Sequence, residues 1–371
     1  MPKIIEEQQL DFKDVLIKPR IGNINSRKEV DLRIGIDFKH SEDTWVGIPI
    51  IAANMDTVAT MEMANAMATH QCMTALHKHY SVEELIKYFG KDSSEAGVSD
   101  LDENKHHLEH VFYSMGITQS DYQKFEQVLD NVGYWTTNAD PVNNSGIRFV
   151  CIDVANGYMS DFAKFCEFFK SKHPSITVMA GNVVSGDMVR ILDSVGVDLV
   201  KLGIGPGSVC TTRKVAGVGR PQLSTILECA EEADRCGIHV VSDGGCTVEG
   251  DVSKAFAAGA SFVMMGGMLA GHEDIGLNKI TENGKEYFEF YGMSSGNAMN
   301  KHAGGVANYR AEEGKRVLIP NRGLLNDTLQ SILGGVRSAC TYVGANSLPE
   351  FRLNAQFYKT NIQTNDVFGK P

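Results

Sequence analysis

The sequence lacks the features that mark several large classes of protein. No apolar run in its 371 residues reaches the length of a membrane span, and the first residues lack the cationic and apolar regions of a secretory signal. Lysine and arginine number 35 against 46 acidic residues, and the resulting formal charge of -11 argues against a protein that coats nucleic acid or binds acidic membranes. We therefore expect a cytoplasmic protein with neither a nucleic-acid partner nor a membrane partner.

Two further absences concern cysteine and glycine motifs. The eight cysteines form no Cys-x-x-Cys pair and no zinc-ligand spacing, so neither a disulfide scaffold nor a structural metal is indicated. We expect reduced thiols, of which at most one or two are reactive. No Gly-x-Gly-x-x-Gly motif opens a strand-turn-helix unit, so a Rossmann domain is not the source of any dinucleotide binding.

The chain is instead rich in short apolar runs, each followed by a stretch that suits a helix. Because both faces of each run are apolar, the runs predict parallel strands that are buried on both sides. The eight runs are residues 48–53, 73–76, 111–114, 149–154, 177–180, 199–203, 239–242 and 262–265. Eight such units predict a closed barrel, and we expect a single (β/α)8 TIM-barrel domain of the α/β class over residues 1–371.

Glycine and polar residues are concentrated just after these predicted strands. The segments concerned are residues 54–56, 77–79, 153–156, 181–182, 205–210, 243–245 and 266–267. A (β/α)8 barrel builds its site from the loops at the carboxyl ends of its strands. We therefore expect these segments to meet around one cavity.

Three segments interrupt the alternation of strands and helices. Residues 90–107 and 133–146 are polar, and both predict surface insertions without chemistry. Residues 271–320 follow the eighth strand and contain an alternating stretch at 285–291, which predicts a hairpin strand. A long excursion at this point of a barrel can cover the mouth, so we expect residues 271–320, the lid segment, to act as a lid.

The most informative segment is the loop Gly-Ile-Gly-Pro-Gly-Ser-Val-Cys at residues 203–210, which places one thiol behind a run of glycines. Gly205 and Gly207 can take positive φ and turn their backbone N–H and C=O groups toward a ligand or ion, while Pro206 stiffens the turn. Cys210 then lies where a bound planar substrate can be attacked. The alternative is an ordinary turn with a small buried cysteine, and the neighbouring motifs decide against it.

Together these motifs resemble the IMP dehydrogenase/GMP reductase family over nearly the whole chain. The matching segments are residues 10–16, 47–56, 77–80, 153–158, 180–184, 203–213, 242–246, 266–271 and 332–342. Residues 290–295, 302–306 and 309–315 resemble the reductase branch of the family. The chain departs from the family pattern in its two polar insertions and in Arg220, where the family usually has an aromatic residue.

The resemblance implies an oxidoreductase of purine nucleotide interconversion, which uses NADPH to convert GMP to IMP and ammonia through a covalent thioimidate on Cys210. Replacing the amino group at purine C2 requires a nucleophile, a proton for the departing ammonia and a hydride for the same carbon. The implied catalytic residues are Cys210 as nucleophile, Thr212 as proton donor and Glu313 as relay to Thr212. Glu312 is the alternative relay, but Glu313 directly precedes the glycine, as in the family's Arg-x-x-Glu-Gly pattern.

For the substrate, the resemblance implies a ribose contact and a phosphate cradle. Asp243 accepts hydrogen bonds from the ribose hydroxyl groups, and Ser208 with backbone N–H groups of the glycine pairs holds the monophosphate. The implied substrate-binding residues are Ser208, Asp243, Gly244, Gly245, Gly266, Gly267, Gly292, Met293, Ser294, Arg310, Glu313 and Gly314. For the glycine pairs, the alternative reading is close packing of strand on helix.

For the cofactor, the resemblance implies NADPH lying across the barrel mouth. The implied cofactor-binding residues are Ser26, Arg27, Lys78, Asp153, Val154, Ala155, Ile204, Gly205, Met293, Tyr309, Arg310, Ser338, Ala339, Cys340 and Thr341. Of these, Ser26, Arg27 and residues 338–341 reach the cofactor from the periphery. Arginine and lysine suit the extra phosphate of NADPH through charge-assisted hydrogen bonds.

The resemblance also implies a monovalent cation and a homotetramer. The carbonyl groups of Gly205, Gly207 and Cys210, with Arg213 nearby, resemble the family's potassium site. We expect His77 and His79 to be core or supporting residues, because no metal partner stands at ligand spacing.

Two other functions compete with the reductase. An IMP dehydrogenase uses the same thiol but resolves the intermediate with water. Residues 80–111 leave no room for its usual tandem regulatory insert, and residues 314–329 leave little length for its flap. A catalytically silent nucleotide sensor is the second competitor, since a barrel alone implies no activity, but the joint presence of Cys210, Thr212 and Glu313 argues against it.

Overall fold

The computed structural model describes residues 3–90, 107–135, 145–302, 304–305, 311–361 and 363. Most of the two predicted surface insertions, namely residues 91–106 and 136–144, lies outside the described residues. Tyr309 and Arg310, which the resemblance assigns to the substrate and cofactor sites, also lie outside them. Every other predicted site residue is described.

Strands and helices alternate along the described parts of the chain. In chain order the strands are β1 (Val15–Ile17), β2 (Ile34–Phe38), β3 (Asp43–Gly47), β4 (Ile50–Ala52), β5 (Met73–Ala75), β6 (Val111–Met115), β7 (Phe149–Asp153), β8 (Thr177–Val183), β9 (Leu199–Leu202), β10 (His239–Asp243), β11 (Phe262–Met265), β12 (Ile280–Glu282), β13 (Lys285–Tyr291), β14 (Arg316–Pro320) and β15 (Phe357–Lys359). The helices are α1 (Met61–Thr69), α2 (Val82–Phe89), α3 (Gln119–Val132), α4 (Ser160–Lys172), α5 (Gly186–Ser194), α6 (Thr212–Val215), α7 (Gln222–Cys236), α8 (Glu249–Ala257), α9 (Gly296–His302), α10 (Leu325–Tyr342) and α11 (Leu348–Asn354). Several helices begin at a hydroxyl cap, as where Ser81 accepts a hydrogen bond from the Glu84 N–H group ahead of α2.

Strands β4 to β11 form a closed parallel barrel, in which each strand pairs with the next and β11 pairs with β4. Each of these strands lies at one of the eight predicted runs, so the predicted (β/α)8 fold is confirmed. Neighbouring residues of one strand enter different parts of the core. On β7, Val150 packs in the cluster shared with the helices and Cys151 packs inside the barrel, and both are fully buried. Burial on both faces explains why the strands are apolar throughout.

The hairpin of β2 and β3 closes the amino-terminal end of the barrel. Its residues Phe38 and Trp45 are buried in the same cluster as the inward-facing strand residues. The centroid of the Trp45 ring lies 5.4 Å from that of Phe262, the first residue of β11. The Phe38 ring lies 5.9 Å from Phe149, the first residue of β7. With this end filled, ligands reach the barrel from the carboxyl ends of its strands.

Strand β8 is longer than the sequence predicts, because it ends at Val183 and the apolar run ends at residue 180. Gly181 and Asn182 have the composition of a turn, yet their backbone groups remain hydrogen-bonded to Val154. The Val154 N–H group donates to the Gly181 carbonyl at 2.9 Å, and the Asn182 N–H group donates to the Val154 carbonyl at 2.9 Å. The extension carries Asn182 to the barrel mouth.

The lid segment forms its own three-stranded antiparallel sheet from β12, β13 and β14. Strand β13 spans the predicted residues 285–291. Helix α9 and residues 311–315 lie between β13 and β14, and they return to the loop that carries Cys210. The Lys315 N–H group donates to the Val209 carbonyl at 2.9 Å, and the Thr211 N–H group donates to the Glu313 carbonyl at 3.0 Å. The action of this segment as a lid stays a prediction.

The two ends of the described chain meet in the antiparallel pair of β1 and β15. Helix α10 packs against α8 on the outside of the barrel. Among the helices of the described ranges, none has both the length and the apolar character needed to span a membrane.

Candidate active site at the carboxyl end of the barrel

A cavity of about 500 Å³ opens at the carboxyl ends of the barrel strands. Most of the described residues that the sequence predicts for the site line this cavity. They are Lys78, Asp153, Val154, Ala155, Ile204, Gly205, Gly207, Ser208, Cys210, Thr212, Asp243, Gly244, Gly245, Gly266, Gly267, Gly292, Met293, Ser294 and Glu313. The position agrees with the end of the barrel at which this fold builds its sites.

The remaining described residues of the predicted site do not line the cavity. They are Ser26, Arg27, Arg213, Gly314, Ser338, Ala339, Cys340 and Thr341. Ser26 and Arg27 belong to the 3-10 turn Arg27–Glu29 and its cap, and residues 338–341 belong to the last turns of α10. Helix α10 packs against this turn, and both elements lie outside the cavity lining.

The Cys210 thiol lies at the cavity wall beside a hydroxyl group. Its Sγ atom donates a hydrogen bond to the Thr212 Oγ1 atom at 3.2 Å, and the side chain is half-buried. The Cys210 N–H group donates to the Gly207 carbonyl at 3.0 Å. A Cβ atom at position 207 would lie 3.3 Å from the Cys210 Cβ atom, so a larger residue there would crowd the thiol. The glycine-rich loop thus leaves the sulfur open to the cavity.

Of the other seven cysteines, Cys246 also lines the cavity and the remaining six do not. Burial raises their pKa, to about 12 for Cys72, Cys166, Cys229 and Cys340, and above its usual range for Cys151, Cys236 and Cys246. The thiolate is the nucleophilic form of cysteine, and a raised pKa leaves little of it at neutral pH. These seven thiols are therefore poor candidates for covalent chemistry.

The structure separates the two candidate relay carboxylates. Glu313 lines the cavity together with Thr212, and its carbonyl group is fixed by the hydrogen bond from Thr211. Glu312 is exposed and is not a lining residue. Its carboxylate lies beside Gly296 at the start of α9, where a Cβ atom would approach Glu312 Oε1 to 2.5 Å. The geometry favours Glu313 over Glu312 as the candidate relay, because Glu313 lines the cavity beside Thr212.

A buried lysine joins the two aspartates of the predicted site. The Lys201 Nζ atom lies 2.7 Å from Asp153 Oδ1 and 2.7 Å from Asp243 Oδ2, and the Lys201 side chain is only 3% exposed. The Asn182 amide donates to the same Asp243 Oδ2 atom at 2.8 Å and to the Gly203 carbonyl at 2.7 Å. The ends of β7, β8, β9 and β10 are thereby held in one hydrogen-bonded network.

Electrostatics keeps this network charged. Burial disfavours the Lys201 ammonium, but the charges of Asp153 and Asp243 outweigh it and raise the pKa of Lys201. Burial likewise disfavours the Asp153 carboxylate, but the Lys201 charge outweighs it and lowers the pKa of Asp153. No motif predicts Lys201, because it lies inside an apolar strand. A lone charge in a strand buried on both faces is itself the signal, since buried charges need partners.

Two glycine-containing loops face each other where the resemblance places the phosphate. A Cβ atom on Gly267 would lie 2.8 Å from Ser208 Oγ, and one on Gly266 would lie 3.0 Å from Met55 Sδ. The absence of side chains at these glycines therefore leaves open the space that a phosphate needs. Behind the loop, the Arg322 guanidinium donates to the carbonyl groups of residues 267, 268 and 270 at 2.8, 3.1 and 3.1 Å. This positive charge was not predicted by any motif.

A second unpredicted cluster ties the lid segment to the barrel. Asp56, buried just after β4, accepts hydrogen bonds through Oδ2 from Tyr291 at 2.6 Å, Lys301 at 2.9 Å and His302 at 2.6 Å. The His302 ring stacks on His79 with centroids 3.5 Å apart. His302 and Asp56 are 246 positions apart, so no local pattern in the sequence could have paired them.

The titratable groups of this cluster are strongly perturbed. Burial acts to raise the pKa of Asp56, but hydrogen bonds from Tyr291, His302 and Lys301 outweigh it and lower the pKa. Burial also lowers the pKa of His77 and His79 to about 4, so both imidazoles are neutral at pH 7. His79 lines the cavity and His77 does not, and the supporting role of the two histidines stays a prediction.

The predicted cation loop is braced from behind by Arg213. Its guanidinium donates to Asp11 Oδ2 at 3.0 Å and to the Arg220 carbonyl at 2.5 Å, and its aliphatic stem lies against Gly205. The carbonyl oxygens of Gly205 and Cys210 accept no hydrogen bond from the described residues. The Gly207 carbonyl is already used by the Cys210 N–H group. Two of the three predicted carbonyl ligands are thus free of other partners in the described structure.

Comparisons with known proteins point to one family. A family model described as IMP dehydrogenase / GMP reductase domain matches residues 9–365. A curated GMP reductase from Salmonella typhi is 50% identical over 366 residues, which covers 99% of this chain and 99% of the relative. GMP reductases from Shewanella pealeana and Escherichia coli O81 are 48% and 49% identical over 368 and 366 residues, with the same coverage of both chains.

Proposed function

This chain belongs to the IMP dehydrogenase/GMP reductase family, and from that premise we propose that it catalyses the NADPH-dependent reductive deamination of GMP to IMP and ammonia. Relatives named GMP reductase that align over 99% of both chains support the substrate. The observation that carries the proposal is the contact of the Cys210 thiol with the Thr212 hydroxyl, on the wall of a cavity that Glu313 and Asp243 also line.

The first chemical step is the departure of ammonia. The Cys210 thiolate forms a C–S bond to C2 of the guanine ring, and the C–N bond to the amino group breaks. The Thr212 hydroxyl protonates the leaving nitrogen, and Glu313 returns a proton to Thr212. The product of this step is a thioimidate on Cys210 together with ammonia.

The second step reduces the same carbon. The hydride for C2 would come from NADPH, which the proposal places beside Lys78 and Asp153 at the cavity and which would be converted to NADP⁺. The C–S bond then breaks, the Cys210 thiolate is regenerated and IMP is released. Two electrons pass from the cofactor to C2, and the thiol itself undergoes no net oxidation.

The cavity residues fit both ligands. The glycine loops and Ser208 provide an open cradle for a phosphate, backed by the Arg322 charge. Lys78 would hold the cofactor by charge, because its side chain is 46% exposed and lies 3.7 Å from Asp121 Oδ1, a loose ion pair. Asp153, whose carboxylate already interacts with Lys201 and Asn54, would accept a further hydrogen bond from the cofactor.

The remaining parts of the proposal concern the assembly, the cation and the lid. The proposal includes a homotetramer, in which Ser26, Arg27 and residues 338–341, which lie outside the cavity lining of their own chain, would serve the cofactor of a neighbouring copy. The free carbonyl groups of Gly205 and Cys210 support a K⁺ site in the loop. The hydrogen bonds between the cysteine loop and residues 313–315 support residues 271–320 as a lid within a single barrel domain.

A direct assay tests the function. The protein is incubated with GMP and NADPH, and the absorbance of the reduced nicotinamide and the release of ammonia are followed together. We expect equal amounts of NADP⁺ and ammonia, and a lower rate with NADH or with K⁺ replaced by a bulky organic cation. Absence of turnover with GMP, together with production of XMP from IMP and NAD⁺, would reassign the chain as a dehydrogenase. Binding of GMP without either turnover would identify a sensor.

A further inference from the structure

The orientation of the Asp243 carboxylate is fixed by its neighbours. Its Oδ2 atom receives hydrogen bonds from Lys201 at 2.7 Å and Asn182 at 2.8 Å, which occupy both lone-pair positions of that oxygen. Among the described residues, neither of these donors nor any other contacts the Oδ1 atom. Because Asp243 lines the cavity, one carboxylate oxygen is used by the protein and the other is left for a ligand.

The two donors are themselves immobilised. The Asn182 amide group donates its second N–H to the Gly203 carbonyl at 2.7 Å. Rotating the amide would place its oxygen against two acceptors, the Gly203 carbonyl and Asp243 Oδ2. The Lys201 ammonium is held between Asp243 and Asp153, and its side chain is almost fully buried. Both residues line the cavity beside Asp243, but the hydrogen-bond donors of their side chains are already directed at Asp243, Gly203 and Asp153.

The backbone at Asp243 is also anchored. The Gln222 amide donates to the Ser242 hydroxyl at 3.2 Å and to the Leu202 carbonyl at 2.9 Å. Both of these acceptor residues, Ser242 and Leu202, are fully buried. An acceptor held in this way is pre-organised for hydroxyl donors and does not adapt when a donor is missing. A site built to bind a hydroxyl group leaves its own buried polar atom unpaired when that hydroxyl is absent.

We propose that Lys201 and Asn182 are positioning residues that make the site selective for ribonucleotides over 2′-deoxyribonucleotides, by presenting Asp243 Oδ1 to the ribose hydroxyl groups. The inference rests on the proposed function for the identity of the nucleotide. It adds that the discrimination at the sugar depends on two cavity-lining residues that act through the orientation of the Asp243 carboxylate. Loss of either residue lets the Asp243 carboxylate rotate. The protein then loses less kcat/KM when the ribose hydroxyl group is absent from the nucleotide.

The test compares GMP with 2′-deoxy-GMP. For the wild-type protein we expect kcat/KM to favour GMP by about 10- to 100-fold, the size of one hydrogen bond to a charged group. In Asn182→Ala and Lys201→Met the preference should fall to about 3-fold or less, mainly because kcat/KM for GMP decreases. Lys170→Met is the matched control, because Lys170 is also a buried lysine paired with an aspartate, Asp198, but lies away from the cavity. It should lower the melting temperature and keep the full preference.

The possible outcomes are distinct. A wild-type protein without preference, or a folded Asn182→Ala protein that keeps the full preference, would overturn the proposal. If Lys201→Met does not fold, the result for Asn182→Ala decides the proposal. Asn182→Ala removes a neutral amide and keeps the Lys201 charge between Asp153 and Asp243. Calorimetric binding of GMP and 2′-deoxy-GMP measures the same selectivity without turnover. A failure of NADPH oxidation therefore counts against the proposed function, and equal binding of the two nucleotides counts against this inference.

Discussion

The two walls of the cavity are built in different ways. The barrel wall, formed by lining residues that follow β4 to β11, holds its charges in buried networks, and its Lys201 side chain is 3% exposed. The lid wall, formed by Glu313 and the lining residues within 290–302, is tied to the barrel through Asp56, and the Lys301 side chain that contacts Asp56 is 59% exposed. One lysine is locked and the other is solvated. We infer that the barrel wall is pre-formed, whereas the lid wall completes the site around its ligands.

The largest expected effect comes from the barrel wall. Cys210→Ala should abolish turnover, with a loss of at least about 1,000-fold, because the covalent intermediate is proposed on this thiol and burial raises the pKa of Cys246, the other thiol in the cavity lining. Binding of GMP should persist, since the ribose and phosphate contacts remain. The measurement is NADPH oxidation together with calorimetric GMP binding. Cys236→Ala, a thiol outside the cavity lining, is the control and should retain activity. Substantial turnover by Cys210→Ala would exclude the covalent route.

The next largest effect is expected from Thr212 of the barrel wall and Glu313 of the lid wall. Thr212→Ala and Glu313→Gln should each slow the release of ammonia about 100-fold, and the double variant should be little worse than either single one if they form one relay. With NADPH deuterated at the transferred position, the isotope effect on turnover should shrink toward one, because deamination becomes rate-limiting. Glu312→Gln is the control and should behave as wild type. An undiminished isotope effect in slow variants would argue against the relay.

A moderate effect is expected on the lid wall. Asp56→Asn removes the negative charge to which Tyr291, Lys301 and His302 donate and replaces one carboxylate oxygen by an NH2 donor, so the lid segment should close less often and KM should rise about tenfold, with a smaller change in kcat. Steady-state kinetics with both substrates measures this split. Lys279→Met, which removes a surface ion pair of the same sheet, should leave both constants unchanged. A fall in kcat alone would place Asp56 in the chemistry and not in the lid.

The same variant sharpens the comparison through pH. The folded-state pKa of Asp56 is lowered, so its stabilising contribution is fully present above the unfolded pKa of about 3.9 and is lost as the pH falls through the folded value. The melting temperatures of wild type and Asp56→Asn should therefore differ by a constant amount from about pH 5 to neutrality and converge below about pH 4. Thermal unfolding by circular dichroism across this range measures the difference. A gap that persists at the lowest pH would show that packing, not charge, stabilises the cluster.

The smallest effect is expected behind the phosphate cradle. Arg322→Met removes a charge that reaches the phosphate only through the carbonyl groups of residues 267, 268 and 270, so KM for GMP should rise about threefold. Raising the salt concentration should reduce the difference from wild type. Arg316→Met, a surface arginine of the lid sheet paired with Glu289, is the control. A much larger rise would mean that the guanidinium contacts the phosphate directly.

The sequence predicts the barrel wall better than the lid wall, for physical reasons. Strands buried on both faces must be apolar throughout, so the eight barrel strands can be read as runs, and their ends identify the loop of Cys210 and the glycines around Asp243. Strand β8 was predicted too short because Gly181 and Asn182 resemble a turn when their pairing with Val154 is unknown. The end of β8 is set by the hydrogen bonds of Gly181 and Asn182 to Val154, a residue that follows β7, and the local sequence of β8 does not contain this information.

The side chains that support the site were the hardest to predict. Lys201 lies within the apolar strand β9. Its partners Asp153 and Asp243 are the last residues of β7 and β10. Asp56 and His302 are joined only when the lid segment returns across the barrel. Chemistry-bearing residues are marked by their local motifs, whereas the residues that orient them are marked by contacts between distant parts of the chain.

The hairpin of β2 and β3 covers the amino-terminal end of the barrel with the rings of Phe38 and Trp45, which pack against the inward-facing strand residues. In the described structure, the cavity lies at the opposite end of these strands. Both proposed ligands would then share that end, where one of them can cover the other. The order in which GMP and NADPH bind is therefore a measurable consequence of this closure, and product-inhibition kinetics would determine it.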